Sequence, residues 1–105
     1  MEENKIQEMQ ILEQRLQNSL LQKQAFQIEF AETASALKEI EKAGDEIFKI
    51  VGQLMIKSEK GKIKEELLNK QKILELRIKS FEKQEASLSS QLDKLREEVT
   101  KSMKK

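Results

Sequence analysis

The sequence predicts a mainly α protein: a long antiparallel coiled-coil hairpin with a β-hairpin inserted at its bend. Three observations carry this. All three glycines, Gly44, Gly52 and Gly61, fall between positions 44 and 61. The segments on either side contain no proline and are rich in Leu, Ile, Lys, Glu and Gln, the composition of long helices. In both segments apolar residues recur at alternating spacings of three and four, the signature of a coiled-coil seam. The chain then divides, within one domain, into an N-terminal helix over 1–43, a β-hairpin segment over 44–61 and a C-terminal helix over 62–105.

In the first arm the seam runs Met9, Leu12, Leu16, Ser19, Lys23, Phe26, Phe30, Thr33, Leu37, Ile40, with seven of ten positions apolar. At the helical rise, roughly 40 residues reach about 60 Å, far beyond the mean globular helix. Gly44, after a basic last turn ending at Lys42, is placed to take the left-handed conformation that closes a helix.

Between the arms, Ile47 to Val51 and Leu54 to Lys57 are rich in β-branched and large apolar residues, separated by Gly52 and Gln53. Glycine at the first of two turn positions suits a type II′ β-hairpin. One face then carries Ile47, Val51, Leu54 and Ile56 with Lys49, the other Phe48, Ile50 and Met55 with Lys57. Neither face is polar. An isolated two-stranded hairpin is marginal in water and leaves two unpaired edges, so Ile47, Phe48, Ile50, Val51, Gly52, Leu54, Met55 and Ile56 are read as an oligomerisation element. Hairpins of several chains would join into one sheet or barrel. The alternative is a hairpin folded down over its own coiled coil.

The second arm can start at Ser58, an N-cap candidate, with Gly61 weakening its first turn. Its seam runs Leu67, Gln71, Leu74, Ile78, Phe81, Glu85, Leu88, Leu92, Leu95, Val99, with eight of ten apolar. If the arms fold back about Gly52, Ser19 lies opposite Glu85, Thr33 opposite Gln71, and Lys23 opposite Phe81 with its ammonium reaching water. Polar layers of this kind fix register. Pairing of each arm with other chains in parallel has the same periodicity, but the glycine-bearing bend disfavours it.

The chain excludes several functions. Twenty basic and nineteen acidic residues, mixed along both arms, give a net charge of +1, which does not suit nucleic acid; an RNA-binding arm is disfavoured. The basic Lys101, Lys104 and Lys105 are offset by Glu2 and Glu3. The most apolar stretch, Ile47 to Ile56, contains Lys49 and Gln53 and is too short to span a bilayer. With no cysteine and no charged-then-apolar leader, a cytoplasmic location is expected. There is no histidine, cysteine, tyrosine or tryptophan, so the common general bases, thiolate nucleophiles and zinc ligands are missing. Asp45 and Asp93 are the only aspartates, and Gly61-Lys62 lacks the rest of a phosphate loop. No catalytic residue, no metal ligand and no cofactor is predicted, and the chain does not read as an enzyme.

The order helix, hairpin, helix resembles the β-type subunit of prefoldin, and local residues strengthen the likeness. Phe48-Lys49-Ile50-Val51-Gly52 followed by Leu54 to Lys57 is similar to the family's hairpin motif of aromatic, Lys and Gly. LELRIKSFEKQE at 74–85, QKQ at 22–24 and ETASALKEIEK at 32–42 are also similar, so the resemblance covers nearly the whole chain. The usual hairpin tyrosine is Phe48 here. The resemblance implies a hexamer of two α-type and four β-type subunits with a double β-barrel body. It also implies ATP-independent capture of non-native polypeptides by the coiled coils and delivery to a group II chaperonin.

Capture is expected at the helix ends, where fraying exposes apolar residues without large loss of packing. The candidates are Ile6, Met9, Ile11, Leu12, Leu95, Val99 and Met103. Unbranched thioethers at Met9 and Met103 suit a promiscuous surface, although Met9, Leu12, Leu95 and Val99 are also seam positions. Ile11, Leu21 and Ile28 lie off the seam. A structural scaffold subunit, binding one folded partner along its helices, is the alternative function; it has no need of a two-faced apolar insert.

Overall fold

The computed structural model describes residues 2–103. Its elements are α1 (Glu2–Lys42), β1 (Ile47–Val51), β2 (Leu54–Ser58) and α2 (Lys60–Met103). Lys104 and Lys105 of the basic terminus lie outside the described residues. The chain forms two compact units: a terminal unit of the segments up to Ala25 and from Arg77 onward, and a central unit of Phe26–Leu76.

In each unit the seam is where the heptads put it. Every predicted seam position is buried or half-buried, on both helices. In the terminal unit Leu12, Leu88 and Leu92 form a buried cluster, with Met9, Leu16 and Leu95 packed against it. The two helical segments there run antiparallel, as cross-helix ion pairs require: Lys5 meets Glu98 at 3.4 Å, Arg96 meets Glu13 at 3.3 Å and Lys23 meets Glu85 at 2.9 Å. In the central unit Ile40 and Leu74 are buried, and Glu41–Lys64 and Glu29–Lys70 pair in the same antiparallel sense at 3.4 and 3.1 Å. The exposed pairs among these contribute little each; the buried leucines and isoleucines supply the stability.

One expectation about a polar position is corrected. The Lys23 ammonium does not go to water: it donates to Glu85 Oε2 with both side chains largely covered, because its four-carbon stem spans the turn between the two layers. Ser19 Oγ and Glu85 Oε1 are buried without hydrogen bonds. The Thr33 hydroxyl donates to Glu29 O, one turn back in its own helix, at 2.8 Å, which satisfies a deeply buried hydroxyl locally.

Both inner helix ends also differ from expectation. Gly44 is not left-handed, since Gly52 is the only positive-φ residue among those described. Instead the Ala43 N–H is shared between Glu39 O and Ile40 O at 3.0 and 3.2 Å, and the Lys60 ammonium donates to Ala43 O at 2.9 Å. A cation from α2 thus caps α1 and meets the negative end of its dipole. Ser58 is not an N-cap. It closes β2 opposite Ile47, its hydroxyl points back to Ile56 O at 3.4 Å, and the first helical bond of α2 is Ile63 N–H to Glu59 O at 3.1 Å.

Candidate functional site

The β-hairpin is built by its turn. Gly52 has φ 61° and Gln53 does not have positive φ, the type II′ pattern whose twist matches that of the strands. Antiparallel pairing follows in the register Val51↔Leu54, Ile50↔Met55, Lys49↔Ile56, Phe48↔Lys57, Ile47↔Ser58. Because side chains alternate across a strand, this register puts Ile47, Val51, Leu54 and Ile56 with Lys49 on one face and Phe48, Ile50 and Met55 with Lys57 on the other, as the sequence predicts. Lys49 donates to Glu66 Oε2 at 3.0 Å, tying that face to the start of α2.

What the hairpin lacks is cover. Phe48, Ile50, Val51, Leu54, Met55 and Ile56 are 47–70% exposed; of the hairpin's apolar residues only Ile47 is half-buried. The sheet has just these two strands, so both outer edges present free backbone donors and acceptors. Among the described residues the chain does not cover its hairpin with its own helices, contrary to the folded-down alternative. Contiguous apolar surface on both faces of so small an element marks an interaction site.

The terminal unit holds the other candidates, and they divide. Ile6, Ile11 and Met103 are exposed, Met103 most of all at 74%. Met9 and Leu95 are half-buried against the leucine cluster, Leu12 belongs to that cluster, and Val99 is buried. Three of the seven predicted capture residues thus stand free, and four belong to the seam, two of them buried and two half-buried. Two shallow grooves flank the seam here, one of about 410 Å3 beside Leu16, Leu20 and Leu92 and one of about 450 Å3 beside Ile11, Leu12 and Leu95.

Sequence reasoning missed Leu20, Leu68, Ile73 and Leu76, all exposed. Their signal was available: each is an apolar residue off the three-and-four spacing, as Leu21 and Ile28 are. Among the described residues no group of three or more acidic side chains gathers to hold a metal ion. No helix there is long and apolar enough to cross a membrane.

Paired antiparallel helical segments and an uncovered apolar β-hairpin inserted between the helices define the class, a helical coiled-coil protein with a β insert. Comparison with known proteins makes this particular: the chain belongs to the prefoldin family, whose prefoldin subunit model matches residues 3–105. It is 40% identical over 93 residues to the prefoldin subunit beta of Pyrobaculum aerophilum, covering 87% of this chain and 74% of that protein. It is 42% identical over 89 residues to the prefoldin subunit beta of Thermococcus onnurineus, covering 83% and 77%. Among solved structures, the prefoldin beta subunit from Thermococcus strain KS-1 superposes with a TM-score of 0.88 at 33% identity, over 96% of this chain and 90% of that one. Prefoldin subunits are non-enzymatic chaperone components that work in hetero-oligomeric complexes.

Proposed function

We propose that this chain is a β-type prefoldin subunit that assembles through its hairpin with α-type subunits and further copies of itself in an α2β4 hexamer. In the cytoplasm that hexamer captures non-native polypeptides at its coiled-coil ends and passes them to a group II chaperonin, without nucleotide. The observation that carries this reading is the hairpin: six large apolar side chains, at least 47% exposed on a two-stranded sheet with both edges open. Burying such a surface against other hairpins removes apolar area from water and pairs the free strand edges in one step. Residues 47, 48, 50–52 and 54–56 are the assembly element. Ile6, Met9, Ile11, Leu12, Leu95, Val99 and Met103 are the capture residues, the exposed three making first contact. Several weak apolar contacts on several arms give avidity while leaving each contact easy to release.

The test is light scattering. A chemically denatured protein is diluted into buffer with the chain and a co-expressed α-type subunit, without nucleotide. Suppression of scattering at near-stoichiometric amounts, followed by refolding once a group II chaperonin and ATP are added, is the expected result. An assembled complex that leaves scattering unchanged contradicts the holding function and returns the chain to a scaffold role.

A further inference from the structure

The larger groove of the terminal unit has an apolar floor of Ile11, Leu12 and Leu95. Ile11 is half exposed and Leu95 half-buried, and the two lie over the buried Leu12, so the floor offers open apolar surface at Ile11 and along the edge of Leu95. The rim is charged, and the charges are not equally engaged. On the acidic side, Glu98 is already matched by Lys5 at 3.4 Å. Arg15 and Lys94, by contrast, line the groove and make no ion pair or hydrogen bond among the described residues. Arg96, on the far side of the seam, is engaged by both Glu13 and Asp93. Glu8 on the same rim stands two turns of α1 before Arg15, about 10 Å away at the helical rise, which leaves the inner end of the floor cationic.

We propose that this groove takes an extended segment of a non-native polypeptide in which aliphatic side chains adjoin a carboxylate-bearing residue. The aliphatic groups cover Ile11, Leu12 and Leu95 while the carboxylate lies between Arg15 and Lys94. Long basic side chains with free heads can follow a carboxylate over several positions, so the match is one of charge and polarity rather than of a fixed sequence. The inference rests on the holding function proposed above and names the class of segment held.

The experiment is fluorescence anisotropy with the full chain and three dye-labelled peptides of equal length, each with a leucine pair flanked by glutamates, serines or lysines. The glutamate peptide is expected to bind about fivefold more tightly than the lysine peptide, with serine between, and 1 M salt is expected to narrow the gap. Arg15→Glu with Lys94→Glu reverses the order; Arg15→Gln with Lys94→Gln, a milder change checked for helix content by circular dichroism, brings the three within about twofold. Lys38→Glu with Lys72→Glu, the same change of charge in the central unit, keeps the wild-type order. Equal binding of the three peptides by the wild type, binding of none, or an order unmoved by the Arg15 and Lys94 variants overturns the proposal. Scattering suppression by the same variants assembled with the co-expressed α-type subunit separates the two readings: if it fails, the holding function fails, and if it persists while the peptides bind alike, only the groove does.

Discussion

Gly52 is the residue on which the hairpin turns. Its φ of 61° lies where a side chain is strained, although a Cβ there would meet nothing within 4 Å. Gly52→Ala is therefore expected to cost about 1–2 kcal/mol through the backbone alone, read as a lower midpoint in urea; an unchanged midpoint would contradict the turn assignment. Position 52 was legible in the sequence because a two-residue turn between β-branched runs leaves few choices. Lys23 was not. Facing Phe81 in the heptad register, it looked free to reach solvent, whereas its length lets it meet Glu85 a turn along. That partly buried pair, with Ser19 Oγ and Glu85 Oε1 unsatisfied beside it, is a costly layer in an otherwise leucine-rich seam. Lys23→Leu or Glu85→Leu alone leaves an uncompensated charge and is expected to lower stability by about 1–3 kcal/mol. The double variant recovers most of that loss. Additive losses in the urea-denaturation cycle would show that the two charges are not coupled.

At the scale of elements, the helices were the most legible part, since a spacing of three and four sustained over both arms leaves one stripe to bury. Their ends were less so. Gly44 and Ser58 are good local signals, but the end of α1 is decided by Lys60, which is distant in sequence and reaches Ala43 O, and Ser58 is held in β2 by its pairing with Ile47. Local capping chemistry lost to contacts made by the folded bend. The hairpin gives the sharpest prediction at this scale. Ile50 and Met55 face each other on the more exposed side, so Ile50→Lys with Met55→Lys places two like charges on the proposed assembly surface. Sedimentation velocity is expected to show smaller species with helix content by circular dichroism unchanged. A complex of undiminished mass would mean that this face is not the interface.

For the whole molecule, the proposed function divides the labour: the central unit assembles and the terminal unit holds. The uncovered hairpin surface could be read from sequence almost residue by residue, because its apolar side chains have no partner pattern within the chain. The capture surface could be read only in part: Ile6, Ile11 and Met103 lie off the seam and are exposed, whereas Met9, Leu12, Leu95 and Val99 answer to the seam first. Periodicity cannot separate a residue kept for the core from one released to a substrate, since both are apolar at the same spacing. The groove beside Ile11 was illegible for another reason, as Arg15 and Lys94 come together only when the helices pair.

The most direct measurement of the central claim is scattering suppression by the complex assembled from chains lacking residues 1–9 and 99–105, compared with the complete complex at equal subunit concentration. The account predicts that the truncated chain still assembles, with its mass reduced only by the deleted residues, and that suppression falls severalfold as the apolar contacts at each arm are lost. Intact assembly with suppression undiminished would contradict it.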